Sequence, residues 1–152
     1  MSFYLCDTNV WLALSIPSHL HHGAAQRWLN GIHEVASVLF CRATQQSFLR
    51  LVSTAALVAP YGLRAMSNDD AWSAFENLIS DDRLVLQVQE PTGIERVWKQ
   101  YTARSTPSPK LWMDAYLAAF ARAGGYTLVT TDAAMRQFSG LDLLLLSDSL
   151  AT

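Results

Sequence analysis

The sequence predicts a three-layer α/β/α domain built on a five-stranded, mostly parallel sheet with strand order 3-2-1-4-5. Short, largely apolar runs such as Phe3-Tyr4-Leu5-Cys6 and Tyr126-Thr127-Leu128-Val129 read as strands buried on both faces, because an exposed face would impose strict alternation with polar residues. Longer segments with apolar residues at helical spacing separate these runs, and such alternation implies parallel strands joined by right-handed crossovers. The length of 152 residues and the 51% hydrophobic content suit one ordinary domain able to bury a core, so a single domain over residues 1–152 is expected.

The first strand, Phe3 to Cys6, delivers Asp7 at its end. Thr8 to Ile16 then reads as a short helix stopped by Pro17. A loop holding His19, His21 and His22 leads into a second helix, Gly23 to Leu29, with Ala25, Trp28 and Leu29 on one face. The histidines are expected to be solvated, since no Cys or acidic ligand lies beside them. Val35 to Cys41 is the second expected strand. Helix Arg42 to Val52 follows, with Thr44 as its N-cap and Gln45 in its first turn near the strand ends. Ser67 caps a helix over Asn68 to Ser80, whose Asp69 and Asp70 complement its positive N-terminus. Arg83 to Val88 is the third strand and Thr92 to Arg104 the next helix, with Trp98 and Tyr101 facing the core. The Ser105 to Lys110 segment carries two prolines and is a loop. The helix from Leu111 to Ala121 is apolar nearly all round, Gly124-Gly125 stops it, and strands Tyr126 to Thr130 and Leu141 to Leu146 complete the sheet.

A net charge of −2 and an isoelectric point near 6.0 argue against a general coater of nucleic acid and confine any such contact to a local patch. Arg42, Arg50, Lys110 and Arg136 are the candidates for it. Cys6 and Cys41 lack the spacing of a zinc site and read as small buried hydrophobes rather than a disulfide. No apolar run reaches the ~18 residues of a membrane span, and the first residues do not read as a signal peptide, so a cytoplasmic protein without membrane contact is expected.

In a sheet of order 3-2-1-4-5 the chain reverses direction between strands 1 and 4, which is where ligands bind in open parallel sheets. Asp7 and Asp132 stand at those two strand ends, and Asp114, in the first turn of the helix before strand 4, can lean into the same crevice. Three carboxylates without a basic partner repel one another, and a hard divalent cation, Mg2+ or Mn2+, relieves that repulsion. Such an ion is held by a few carboxylates plus substrate phosphates, so phosphodiester hydrolysis suits the site. Asp7, Asp114 and Asp132 are the expected metal holders. Thr8, Asn9, Thr130 and Thr131 are candidate hydrogen-bond donors around them, although polar residues at strand ends are also ordinary caps.

Four segments, Asp7-Thr8-Asn9-Val10, Thr44-Gln45-Gln46-Ser47-Phe48-Leu49-Arg50-Leu51, Met113-Asp114-Ala115-Tyr116-Leu117-Ala118-Ala119-Phe120-Ala121 and Thr130-Thr131-Asp132, resemble in order and spacing the PIN-domain family, specifically the VapC-type toxin ribonucleases of toxin–antitoxin pairs. The resemblance implies a PIN-like fold, a metal-dependent endoribonuclease acting on structured RNA, a cognate antitoxin protein and a homodimer. It also places Gln45 where the family usually has a Glu, which leaves one fewer acid in the site. Two other readings stay open. One is a degenerate PIN-like domain that binds RNA or an antitoxin without cutting. The other is a small-molecule phosphatase with Asp7 as nucleophile, against which stands Asn9 where such enzymes usually place a second acid.

Overall fold

The structure is a computed structural model that describes residues 1–147. Its five strands, β1 (Tyr4–Cys6), β2 (Val38–Cys41), β3 (Leu84–Gln87), β4 (Thr127–Thr130) and β5 (Leu143–Leu145), form one sheet in the order β3-β2-β1-β4-β5. Every pairing is parallel, with Leu5 opposite Leu39 on one side and Leu128 on the other. The expected fold class and strand order are thus borne out.

Period-two alternation sorts the strand residues between two cores. Cys6, Val38, Phe40 and Val129 face one side, where α1 (Thr8–Ser15), α2 (His22–Asn30), α3 (Arg42–Val52) and α5 (Asn68–Ile79) pack. Leu5, Leu39, Cys41 and Leu128 face the other, covered by α6 (Ile94–Thr102) and α7 (Leu111–Gly124). Burial of both faces explains why the strands read as apolar runs. The first core centres on Phe40, whose ring stacks on Trp11 at 3.6 Å between centroids and meets Phe48 and Phe75 edge-on. The second is filled by the small residues of α7, Ala115, Ala118, Ala119 and Ala121, all fully buried; they let this helix lie close to the sheet.

Several boundaries differ from the sequence reading. The second strand starts at Val38, because Ala36 adopts a positive φ of 54° that breaks extended pairing and leaves Val35 exposed. The third ends at Gln87, and Val88 is exposed. A short helix, α4 (Ala55–Val58), precedes the Pro60 turn unannounced by any periodicity. The N-cap of α3 is Cys41 rather than Thr44; Thr44 lies three residues inside, where its hydroxyl oxygen accepts from the Cys41 backbone N–H at 3.0 Å. Helix α7 runs on to Gly124, with Gly125 as a left-handed cap at φ 70°, and its first turn is not buried: Trp112 is 57% exposed and Met113 46%. Trp98 is only half-buried, whereas Tyr101 is buried as expected.

The histidine loop serves structure. His22 Nδ1 lies 2.7 Å from the Ala13 carbonyl, His19 Nδ1 accepts from the His21 backbone N–H, and the His19 ring stacks on Tyr61. Cys6 and Cys41 are both buried and free.

Candidate active site at the carboxyl ends of β1 and β4

Parallel pairing of the two middle strands builds the site. Cys6 lies opposite Val129, and the Asp7 backbone N–H continues the ladder by donating to the Val129 carbonyl at 2.8 Å. Asp7 leaves the strand at φ −63° and ψ 156° and becomes the N-cap of α1, its Oδ1 accepting from the Thr8 N–H at 2.8 Å. The side chain is therefore fixed from both directions, by the sheet behind it and by a helix N-terminus beside it.

Its second oxygen belongs to β4. The Thr130 hydroxyl, fully buried, donates to Asp7 Oδ2 at 2.9 Å and accepts from the Asp132 backbone N–H at 3.1 Å. Asn9 closes the bridge: its Nδ2 donates to Asp7 Oδ2 at 3.4 Å and to Thr130 Oγ1 at 3.3 Å, and its Oδ1 accepts from the Thr131 N–H at 3.2 Å. Of the four donors expected around the carboxylates, Asn9 and Thr130 act through their side chains, while Thr8 and Thr131 contribute backbone N–H groups. Asp132 is exposed and caps the 3-10 turn Ala133–Gln137, its Oδ1 accepting from the Ala134 N–H at 2.9 Å. Asp114 sits half-buried in the first turn of α7.

The three carboxylates sense one another. Burial raises the Asp7 pKa to about 6; the Thr130 hydroxyl and the Thr8 N–H pull it down, and the charges of Asp114 and Asp132 push it up. Asp114 is also raised, by burial first and by Asp132 second. Among the described residues no three His, Cys, Asp or Glu side chains come close enough to close a cage round a metal ion. The set is therefore an open one of hard carboxylate oxygens. That fits a cation which keeps several waters and takes one or two carboxylates plus substrate phosphate, as Mg2+ does, and not a closed tetrahedral site.

Gln45 is buried, and its Oε1 accepts from Arg42 Nη1 at 2.7 Å. The amide oxygen, at the position where the resemblance implies a Glu, is thus held by a guanidinium one turn back in α3. Of the other basic candidates, Lys110 lines a cavity of about 450 Å3 with Asp114, while Arg50 lines a separate groove with Trp72. Arg136 is exposed in the turn after Asp132. Sequence reasoning passed over Arg104, which joins Lys110 and Asp114 in that cavity. The sequence places it at the end of the helix Thr92 to Arg104; the helix instead ends at Thr102, which leaves Arg104 in the loop.

Comparison with known proteins agrees with this geometry. Residues 4–141 match the PIN domain family. The chain is 49% identical over 143 residues to Ribonuclease VapC41 of Mycobacterium tuberculosis, an alignment that covers 94% of this chain and 98% of that protein. Among solved structures, VapBC2 from Rickettsia felis, bound to a DNA fragment from its promoter, is similar with a TM-score of 0.66 at 13% identity, covering 95% of this chain and 99% of that one. The sarcin-ricin-loop-cleaving toxin VapC20 of Mycobacterium tuberculosis gives 0.62 at 16% identity, covering 91% and 98%. With its strand order, its aspartates at the switch between β1 and β4 and this match over nearly its whole length, the chain belongs to the PIN-domain family.

Proposed function

We propose that this protein is a divalent-metal-dependent endoribonuclease that hydrolyses RNA phosphodiester bonds, the toxin of a type II toxin–antitoxin pair. The observation that carries the reading is the open carboxylate set at the switch point, in a chain 49% identical to a ribonuclease over most of its length. Asp7, Asp114 and Asp132 would hold the ion, Mg2+ or Mn2+, directly or through its waters. When bound, that ion supplies Lewis acidity, offsetting charge on the phosphate and lowering the pKa of water.

The chain's own groups do the rest. Thr130 and Asn9 orient Asp7 through its Oδ2, and the Thr130 hydroxyl with the Thr8 N–H favours its ionised form, which its buried position otherwise resists. Lys110 and Arg104 flank Asp114 and can bind the phosphates next to the scissile one, compensating a carboxylate cluster that by itself would repel RNA. Asn9 spends its side chain on the β1–β4 bridge, and no acid takes the place a phosphatase would need.

Gln45 held by Arg42 favours one second reading, a domain that binds without cutting. Incubation of purified protein with total RNA decides between the two. Cleavage that needs Mg2+ or Mn2+, stops in chelator and is absent from Asp7→Asn supports the nuclease; intact RNA at every metal concentration supports the binding domain. The same reading makes the partner an antitoxin protein whose cationic side chain covers the acidic crevice, and it makes the toxin a cytoplasmic homodimer. No helix among the described residues is long and apolar enough to cross a membrane. Expression alone should arrest growth, and co-expression of the neighbouring reading frame should restore it.

A further inference from the structure

The cavity beside Asp114 is not isolated. It shares Arg104, Ser108, Pro109 and Leu111 with a second cavity of about 300 Å3, which in turn shares Thr102 and Trp112 with a third of about 590 Å3 between α6 and the start of α7. The three adjoin through these shared residues as a cleft that leaves Asp114, rounds the N-terminal tip of α7 and ends on two indoles. Its charge is the reverse of the chain's. Four of the eleven Lys and Arg residues line it, Arg104 and Lys110 near Asp114 and Arg96 and Lys99 at the far end, against Glu95 and Asp114 itself. At that end Trp112 is 57% exposed: Trp98 Nε1 donates to the Trp112 backbone carbonyl at 3.0 Å, which fixes the Trp98 ring, and the two rings meet edge to face with centroids 6.1 Å apart. An edge-to-face pair covers at most one face of either ring, and at 57% exposure Trp112 keeps indole surface open to another ring.

A large apolar face in an otherwise apolar-surrounded helix would be expected to bury itself. Here it stands at the end of a cationic track that starts beside Asp114. That combination, charge spaced along a groove with an aromatic platform beside it, is how proteins hold a single strand through its backbone and one unstacked base. We propose that this cleft is a binding track for single-stranded RNA flanking the cut, with Arg104 and Lys110 on backbone phosphates and Trp112 stacking a base several nucleotides away. The inference rests on the ribonuclease reading and adds to it the single-stranded form of the bound segment and the residues that grip it. A loop or an unpaired flank of a structured RNA meets that requirement; a continuous duplex does not, because its bases cannot reach the indole.

The test uses the full chain in chelator, so that nothing is cut, and a short fluorescein-labelled single-stranded RNA pool of randomised sequence as probe, read by anisotropy. Trp112→Ala should bind about five- to a hundredfold more weakly and Trp112→Phe should keep most of the affinity, since base stacking on an aromatic ring is worth that much and Phe retains a π-face. Arg104→Gln should weaken binding and lower the slope of log affinity against log salt by about 0.7, the value for one phosphate contact on a single strand. Duplex RNA should show no difference between Trp112 and Ala. Equal binding by wild type and Trp112→Ala, while the wild-type protein cuts RNA in Mg2+ or Mn2+, overturns the track alone. Loss of a dimer in Trp112→Ala by light scattering also overturns it, by assigning the indole to an interface between copies. A wild-type protein that neither binds nor cuts overturns the ribonuclease reading and the track with it. Arg104 lies in an exposed loop, so its variant remains informative even where a Trp112 variant folds poorly.

Discussion

Asp7 carries opposed demands. A carboxylate almost wholly removed from water is disfavoured as an anion, yet a metal-holding carboxylate has to be one. The protein meets this with two close donors, the Thr130 hydroxyl and the Thr8 N–H, and still leaves the pKa at about 6. Because the folded value lies above that of an unfolded aspartate, the native state binds the extra proton between about pH 4 and pH 6, and stability of the metal-free protein falls as pH rises through that window. The full cost above the window is on the order of 3 kcal/mol. Asp7→Asn escapes this penalty but loses one acceptor oxygen, so in chelator near neutral pH its melting temperature should equal or exceed that of the wild type. The advantage should shrink below about pH 4, where Asp7 is protonated in both states. Activity should fall at least a hundredfold. A mutant that melts several degrees lower near neutral pH would show that the charged form is what holds β1 to β4.

At the scale of elements, α7 has to serve two ends. Its first turn carries Asp114 and the exposed Trp112, and its last turn presses on β4. A Cβ at Gly124 would stand 2.3 Å from the Tyr126 ring, so the helix can end against this strand only without a side chain there. Gly124→Ala should cost about 1–3 kcal/mol, because the half-buried Tyr126 ring has to shift, and lower the melting temperature by about 2–10 °C. An unchanged melting curve would mean the Tyr126 ring swings aside freely. The elements themselves were legible because burial on both faces writes strands as apolar runs, and one-sided burial writes α5 and α6 as helical stripes. Asp7, Asp114 and Asp132 were legible for the same reason: strand ends and a helix start are fixed by pattern, and topology then brings them together. Thr44 and Gln45 were harder. A backbone turning directly from strand into helix made Cys41 the cap, and the partner of Gln45, one turn away at Arg42, could have been read only as an i, i+3 pair. The path of residues 103–110 has no periodicity at all, so nothing in the sequence placed Arg104 beside Asp114.

For the whole molecule, any ion that binds the folded crevice and not the unfolded chain must stabilise the entire fold. Mg2+ or Mn2+ should therefore raise the melting temperature of chelator-treated protein, and the rise should saturate. Gln45→Glu restores a charge, but one that Arg42 already neutralises in part. The expected tightening is about three- to tenfold, less than an unpaired charge near the ion would give. Calorimetric titration of both proteins measures it, and identical affinities would place residue 45 outside the ion's reach. The bridge from Asn9 and Asp7 to Thr130 and Thr131 has a kinetic consequence as well. It spans more than 120 positions of sequence, and the pairing of β1 with β4 that it seals is a non-local step, expected late because its loop entropy has to be overcome first. A chain folded only through β3 holds Asp7 but neither Asp114 nor Asp132. Enzyme activity should accordingly return on refolding no sooner than the last tertiary signal, and vanish in denaturant with the first loss of the β1–β4 pairing, so that the nuclease stays silent in every partly folded form of the chain.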